Sequence, residues 1–235
     1  MRDHSGMERF RDRREGGRLL AARLTAFRAA PATIVLGLPR GGVVPAAEIA
    51  RALDLPLDVL ISRKLRAPSN PELAIGAVAE GGEAYVFEET REATGASAAY
   101  LAEETSAQQI EITRRRKMFR GGAALALPPK ATVILVDDGI ATGSTVIAAI
   151  HALRHQGVGR IVLATPVAPP DTAERLGSMV DEMVVLRTPE PFWAVGRFYE
   201  DFEQVSDDEV RELLAASRRP APSPAKPLHG AGGKP

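Results

Sequence analysis

Residues 133–145 read VILVDDGIATGST, an apolar run followed by two aspartates and a turn of small residues. The apolar run predicts a buried strand, and the small residues predict a turn that opens a helix. In an open α/β sheet, ligands bind at the carboxyl ends of strands, where a helix N-terminus offers unpaired backbone N–H groups to an anion. Gly143 permits close approach of the backbone. Three hydroxyls can donate to the same anion, those of Thr142, Ser144 and Thr145.

Two adjacent carboxylates, Asp137 and Asp138, lie between the predicted strand and the turn. Neighbouring carboxylates repel each other unless they face hydroxyls, a cation or solvent in a crevice. The pair therefore indicates recognition of a polyhydroxylated ligand together with a metal ion. The alternative is an ordinary strand, an Asp-Gly turn and a capped helix, but this alternative does not account for the composition of the whole turn.

Apolar runs alternate with helical patterns on both sides of this stretch, which is the rhythm of βαβ units. We therefore predict an α/β fold with a doubly wound, mostly parallel sheet whose two faces are covered by helices. The predicted strands are residues 33–38, 57–62, 132–137, 160–165 and 182–186, and the predicted helices between them are residues 43–53, 144–156 and 171–176.

Four further segments lie outside this rhythm. Residues 7–27 place apolar side chains at helical spacing, so we predict a docked helix on which Arg11, Asp12 and Arg13 form a solvated face. Residues 63–131 predict a loop with a small β-excursion and then a helix over 96–119, whose Arg114–Lys117 turn is typical of cations at a helix C-terminus. Residues 217–235 are rich in Pro, Gly and Ala, and we predict a disordered tail after a single domain over 1–216.

A second glycine-rich loop, GLPRGG at residues 37–42, follows the first predicted strand and opens a helix. It places backbone N–H groups and the cation of Arg40 at the carboxyl end of that strand. The Lys and Ser or Thr of a Walker A loop do not follow it, and the GxGxxG spacing is also missing. Kinase and dehydrogenase functions therefore lose support.

Composition excludes several other classes of protein. Thirty basic residues balance thirty acidic ones, so no net charge attracts a polyanion, and we do not expect a nucleic-acid partner. There is no cysteine, and the four histidines are scattered, which argues against disulfides and thiolate or histidine metal sites. The charged N-terminus and the short apolar runs predict a cytoplasmic protein without a membrane segment.

The stretch 133–145 resembles the phosphoribosyl pyrophosphate (PRPP) motif of the type I phosphoribosyltransferases. The resemblance extends to about Leu214 and is closest to an uncharacterised bacterial phosphoribosyltransferase-like group, some members of which are fused to a hydrolase domain. Two further phrases carry it, SRKLRAPSNPELAIGAVAEGG at 62–82 and PFWAVGRFYEDFEQVSDDEV at 191–210. It implies the type I phosphoribosyltransferase fold with a small hood, a flexible loop or hairpin insertion that closes over the site, and a homodimer.

The resemblance also implies an activity, the Mg²⁺-dependent transfer of a 5-phosphoribosyl group from PRPP to a nitrogenous base with release of pyrophosphate. The expected catalytic residues are Asp137, Asp138, Arg40 and Lys64, with both aspartates meeting Mg²⁺ indirectly, through ribose hydroxyls or water. The expected ligand contacts are Ala141, Thr142, Gly143, Ser144 and Thr145 for the 5-phosphate, Pro39, Arg40, Gly41, Gly42, Arg63 and Lys64 for the pyrophosphate, and Phe192 and Trp193 for the base.

Some alternatives stay open at this stage. Tyr199 is a further candidate for stacking on the base, although core packing competes for every aromatic residue there and is favoured for Phe198 and Phe202. Ala141 stands where hypoxanthine-guanine enzymes carry an aspartate, a pattern nearer to adenine-type enzymes. The same fold is also compatible with a regulatory protein that binds PRPP without turnover, and with a hydrolase or another transferase acting on phosphosugars.

Overall fold

A central sheet of five parallel strands organises the chain, and a smaller antiparallel sheet of three strands lies beside it. The structure, a computed structural model, describes residues 9–217. The predicted tail, apart from Ser217, therefore lies outside the described residues. The strands are β1 (Thr33–Gly37), β2 (Leu57–Val59), β3 (Ser62–Ala67), β4 (Asn70–Ala79), β5 (Tyr85–Val86), β6 (Thr132–Val136), β7 (Arg160–Val167) and β8 (Glu182–Arg187).

Helices cover both faces of the central sheet, whose strand order is β2-β1-β6-β7-β8. The helices are α1 (Arg13–Arg23), α2 (Val43–Leu53), α3 (Glu88–Ala93), α4 (Ala98–Arg120), α5 (Ser144–His155), α6 (Pro170–Gly177) and α7 (Asp207–Ser217), with 3-10 turns at Thr25–Phe27 and Val195–Phe198. This arrangement confirms the predicted doubly wound α/β fold.

Side chains alternate across the central strands, which explains how one sheet supports two cores. Val35 and Ile134 belong to a buried cluster with α1 and α2, whereas Leu36 and Leu135 belong to a cluster with α5 and α6 on the opposite face. Strands buried on both faces are near-continuous apolar runs, as the sequence of β6 is.

The predicted strand at residues 57–62 is wrong at its end. The chain leaves the central sheet after Val59, and Ser62 begins β3 of the antiparallel sheet, in the order β3-β4-β5. Ile61 already belongs to the second sheet's side, because its carbonyl accepts from the backbone N–H of Glu80 at 2.8 Å. An uninterrupted apolar run from 59 to 61 conceals this change of partner, since burial without alternation is the same in either sheet.

The predicted long helix is confirmed as α4, and its limits have visible causes. Ser97 caps the helix by accepting from the backbone N–H of Tyr100 at 3.1 Å, and Gly121 ends it in the left-handed conformation. The helix continues beyond the basic turn to Arg120, so Arg114 and Arg115 are not its terminal cations. Both donate instead to Glu111, which lowers the pKa of that carboxyl to about 2.

The predicted N-terminal helix is shorter than expected. It begins at Arg13 because Asp12 accepts from the backbone N–H of Glu15 at 2.7 Å and caps it. Phe10 precedes the helix and pairs with Tyr199 in an isolated β-bridge. Within residues 9–217, no helix has the length and apolar character that a membrane span requires.

Candidate functional site

The two glycine-rich loops meet at one edge of the central sheet. β1 and β6 are parallel neighbours, with Gly37 opposite Val136, so the loop 38–42 and Asp137 leave the sheet side by side. The backbone N–H of Leu38 donates to the carbonyl of Val136 at 2.9 Å. A Cβ placed on Gly42 would lie 2.6 Å from that same carbonyl oxygen, so only glycine allows the loops to approach this closely.

The loop 38–42 carries one cis peptide bond, between Pro39 and Arg40. Arg40 is partly exposed, and its Nη1 lies 3.7 Å from Oδ1 of Asp207 at the start of α7. A pair at this distance, with both side chains about one third exposed, holds the guanidinium weakly. The side chain is therefore available to a ligand at the sheet edge.

Asp137 and Asp138 follow β6 directly and are partly buried. The backbone N–H of Asp138 donates to Oδ1 of Asp137 at 2.9 Å. Burial raises the pKa of Asp137 well above its usual range, and the negative charge of Asp138 adds to the effect. The site thus holds a carboxylate that gains from any cation or hydroxyl donor brought next to it.

Arg13 is a residue of the site that sequence analysis missed. Its side chain is 11% exposed, and its Nε donates to Oδ2 of Asp138 at 2.5 Å, so placing it on a solvated helix face was wrong. Arg13 Nη1 also donates to the carbonyl of Glu203 at 2.7 Å, and its Cζ lies 3.7 Å from the centroid of the Phe202 ring. No local pattern could reveal this contact, because 125 positions separate Arg13 from Asp138.

Tyr199 supports the backbone at Asp138 from the protein interior. It is 2% exposed, its hydroxyl donates to the backbone carbonyl of Asp138 at 2.5 Å, and its ring packs against Phe10 and Phe202. Burial raises its pKa, so the phenol stays protonated and a donor. Tyr199 is therefore a core residue and not an exposed ring for stacking, and Phe198 is likewise packed, against Phe192.

The turn 141–145 is held from the side of α6. Thr172 Oγ1 donates to the carbonyl of Ala141 at 2.9 Å, and Arg175 Nη2 donates to the carbonyl of Thr142 at 2.6 Å. Gly143 has a φ of 74° and turns the chain into α5, which begins at Ser144. With these carbonyls tied to α6, the turn presents a helix N-terminus and hydroxyls toward the sheet edge. Thr172 and Arg175 were not foreseen.

A cavity of about 1280 Å³ opens next to this turn. Of the two basic residues on β3 that were expected to bind pyrophosphate, only one faces it. Lys64 lines the cavity. Arg63 projects to the opposite face, as its alternate position in the strand requires, and its Nε donates to Oε1 of Gln108 on α4 at 3.0 Å. Burial there lowers the pKa of Arg63, and the charge of Arg115 adds to the shift.

The far wall of the cavity comes from α6 and from the segment after β8. Phe192 is part of that wall, beyond the cis Glu190–Pro191 bond. Trp193 is 74% exposed and is not among the residues that line the cavity. The two aromatic residues that the resemblance implied for the base therefore have different surroundings, although they are adjacent in sequence.

A family model described as a phosphoribosyl transferase domain matches residues 14–202. This chain belongs to the phosphoribosyl transferase family. Its resemblance to that family is thereby confirmed, together with the expected fold of a parallel sheet flanked by helices. The match begins one residue after Arg13 and ends at Phe202, so it spans both glycine-rich loops and the aspartate pair.

Two relatives place this member of the family more closely. It is 43% identical over 213 residues to a Mycobacterium tuberculosis protein whose name assigns it provisionally to the phosphoribosyl transferases, and the match covers 91% of this chain and 48% of that protein. The chain thus spans about half the length of its curated relatives. A crystal structure of the protein TT1426 from Thermus thermophilus shares 43% identity and a TM-score of 0.75, covering 88% of this chain and 98% of that one.

Phosphoribosyl transferases generally use Mg²⁺, and the donor atoms here fit a partial site for it. Asp137 and Asp138 supply carboxylate oxygens, but one of these, Oδ2 of Asp138, already accepts a hydrogen bond from Arg13. In the part of the chain that the structure describes, no three His, Cys, Asp or Glu side chains are grouped to hold a metal ion. Mg²⁺ keeps octahedral oxygen ligands and is commonly bound through one or two carboxylates, waters and substrate phosphates. The pair fits Mg²⁺ when a phosphorylated substrate completes the ligand set.

Proposed function

We propose that this protein transfers a 5-phosphoribosyl group from PRPP to a nitrogenous base and releases pyrophosphate, with Mg²⁺ as cofactor. The observation that carries the proposal is the convergence of three elements at one sheet edge. The aspartate pair and the turn 141–145 follow β6, and the loop 38–42 follows the adjacent strand β1 at the same end. An open cavity lies beside the turn 141–145. An anion site, a hydroxyl site and a second anion site in that order match a sugar phosphorylated at both ends.

Each element has a chemical role in this proposal. Backbone N–H groups and hydroxyls of Ala141, Thr142, Gly143, Ser144 and Thr145 bind the 5-phosphate, because the N-terminus of α5 favours an anion. Asp137 and Asp138 accept hydrogen bonds from the ribose hydroxyls, which fixes the sugar ring in line with the incoming nitrogen. These contacts bind and orient the substrate, and they supply no nucleophile of the protein's own.

The leaving pyrophosphate is assigned to the loop that carries Arg40, together with Lys64. Pro39, Gly41 and Gly42 shape that loop, and Lys64 faces the cavity as a single positive charge. Cations and N–H groups stabilise the negative charge that grows on the leaving group. Bound Mg²⁺ would add a Lewis acid at the same oxygens. Arg63 was also expected at this position, but its bond to Gln108 favours a structural role.

The acceptor is assigned to the cavity wall that contains Phe192. An aromatic face there can stack on a heteroaromatic base. Trp193 stays a prediction for the same role, and comparison of Phe192→Ala with Trp193→Ala tests it. We expect the KM of the accepted base to rise in the first variant and to stay unchanged in the second. An equal rise in both would return Trp193 to the site.

Calorimetric titration of PRPP into the protein, with and without Mg²⁺, tests the proposal. We expect saturable binding that depends on Mg²⁺, followed by pyrophosphate release when the correct base is added. Asp137→Asn and Asp138→Asn should each weaken PRPP binding sharply. No PRPP binding under either condition would reject the assignment and leave only the fold. PRPP binding without turnover on any base would favour the regulatory alternative.

The cytoplasmic location and the homodimer also stay predictions. Light scattering of the purified protein and fractionation of its source cells test them. For the regulatory alternative, an RNA or DNA partner is argued against by the pairing of Arg114 and Arg115 with Glu111, which compensates part of the basic turn on α4. Filter binding at low salt checks this point, since a nucleic-acid binder would show strong salt-dependent retention.

A further inference from the structure

Arg13 brings a fixed positive charge to the carboxylate pair from the start of α1. Its Nε donates to Oδ2 of Asp138 at 2.5 Å, and the two side chains are only 11% and 14% exposed. A charged hydrogen bond shielded from water in this way is much stronger than a surface ion pair. The contact is therefore a built part of the site.

The guanidinium is anchored independently of Asp138. Its Nη1 donates to the carbonyl of Glu203 at 2.7 Å, and its Cζ lies 3.7 Å from the centroid of the Phe202 ring. Asp12 caps the first turn of α1 and so fixes the backbone immediately before Arg13. Because two contacts besides the carboxylate hold the guanidinium, and the capped helix fixes the backbone that carries it, Arg13 stays in place when the other groups of the site change partners.

The position of Asp138 follows from this anchor. One oxygen faces Arg13, and the carboxylate also lies against Gly41 in the neighbouring loop. Two carboxylates with one fixed guanidinium carry a net charge of about −1 when both are ionised, so much of their attraction for a free divalent cation is already satisfied. The lone pair of Oδ2 that accepts from Arg13 is also not available to a metal ion.

We propose that Arg13 is a positioning residue: a built-in cation that holds Asp138 and keeps a free divalent cation off the aspartate pair. Under this arrangement the metal ion enters the site together with the phosphorylated substrate, which supplies the missing oxygen ligands. The inference rests on the proposed function only in taking the aspartate pair as the sugar-binding edge. The charge arrangement itself is tested without substrate.

The test is titration of Mn²⁺ into the full chain without PRPP, followed by electron paramagnetic resonance of the free ion. Wild type should bind Mn²⁺ weakly. Arg13→Met keeps a long unbranched side chain but removes the charge, and we expect its Mn²⁺ affinity to rise about tenfold or more. Arg13→Lys restores a cation and should return the affinity most of the way to the wild-type value. Arg14→Met is the matched control, because Arg14 pairs with Glu48 and Glu209 away from the site, and it should not change the affinity.

Two results would overturn the inference. One is a folded Arg13→Met variant, judged by an unchanged circular dichroism spectrum, that binds Mn²⁺ no better than wild type. The other needs no variant at all and is tight Mn²⁺ binding by the wild-type protein without substrate. Neither result bears on PRPP binding by wild type, so failure of this inference and failure of the proposed function are separate outcomes.

Discussion

Gly41 lies directly against the carboxylate of Asp138, although the two residues belong to different loops. A Cβ placed on Gly41 would be 2.6 Å from Cγ of Asp138 and nearer still to Oδ2. Any side chain at position 41 would therefore displace the carboxylate or the loop that carries Arg40. The pair couples the two halves of the candidate site.

Gly41→Ala should disrupt the site, because the added methyl group overlaps the carboxylate of Asp138. We expect a loss of stability of about 1–3 kcal/mol, as for other overpacking changes, and loss of PRPP binding. Urea unfolding and calorimetry measure the two effects. Gly177→Ala is the control, since its Cβ would meet only Met183, at 3.9 Å, and it should leave both unchanged. Normal PRPP affinity in Gly41→Ala would show that the loops are not coupled in this way.

Asp137→Asn should raise the melting temperature while weakening PRPP binding. Burial raises the pKa of Asp137, so the folded protein holds this proton to a higher pH than the unfolded chain does. The free energy of unfolding of wild type therefore falls as the pH rises from the usual aspartate value of 3.8 through the raised pKa. Asparagine cannot ionise, so the advantage of the variant should be larger at pH 8 than at pH 5.

Asp181→Asn provides the control of opposite sign. The backbone N–H of Ile161 lowers the pKa of Asp181, and Arg154 adds to this shift. Its contribution to stability is present above pH 3.8 and is lost as the pH falls through the lowered pKa. The variant should therefore be destabilised equally at pH 5 and pH 8. Thermal melts at both pH values decide the comparison, and an Asp137→Asn advantage independent of pH would contradict the assigned cause.

Tyr199→Phe should destabilise the protein by about 1–2 kcal/mol, because the carbonyl of Asp138 loses a buried donor. Tyr100→Phe removes a hydroxyl that donates to the carbonyl of Arg66 at a more exposed position, and the expected cost there is below about 0.5 kcal/mol. Urea unfolding of the two variants measures the difference. Equal costs would mean that the hydroxyl of Tyr199 does not support the loop.

Lys64→Ala and Arg63→Ala should separate the two faces of β3. We expect the Kd for PRPP to rise about tenfold in the first variant, since a charge in the cavity is lost. The second variant removes the bond to Gln108 on the other face, so its Kd should stay within about twofold of the wild-type value. Calorimetry measures both. A larger effect at Arg63 than at Lys64 would reverse the assignment of the pyrophosphate contact.

Glu80 and Arg120 form an ion pair whose side chains are only 6% and 5% exposed. Breaking it with Arg120→Met leaves the buried carboxylate of Glu80 without this guanidinium, and we expect a cost of about 3–5 kcal/mol. The double variant Glu80→Gln, Arg120→Met should be more stable than the sum of the single changes allows, because the buried carboxylate is removed as well. Denaturant unfolding of wild type, the two single variants and the double variant gives the coupling free energy between Glu80 and Arg120. Strictly additive losses of stability would contradict this prediction.

Much of the architecture could be predicted from the sequence because its causes are local. A strand buried on both faces appears in the sequence as an apolar run, as β1 and β6 do. A helix with one apolar face appears as apolar residues at helical spacing. The limits predicted for α2 coincide with those observed. The glycine-rich loops and the aspartate pair were also visible, since turns and carboxylates at strand ends leave their mark within a few residues.

The tertiary structure decided which of these residues share surroundings. Arg13 reaches Asp138 across 125 positions, Tyr199 reaches the same loop from the other end of the chain, and one strand places Lys64 and Arg63 on opposite faces. The apolar run at residues 59–61 likewise did not reveal that the chain passes there from the central sheet to the antiparallel sheet. The sequence by itself determined the central strands β1, β6, β7 and β8, the helices between them and the two glycine-rich loops, because propensity and periodicity act over one or two turns of chain. The partners of each charge depended on the packing of distant elements, which no local pattern records.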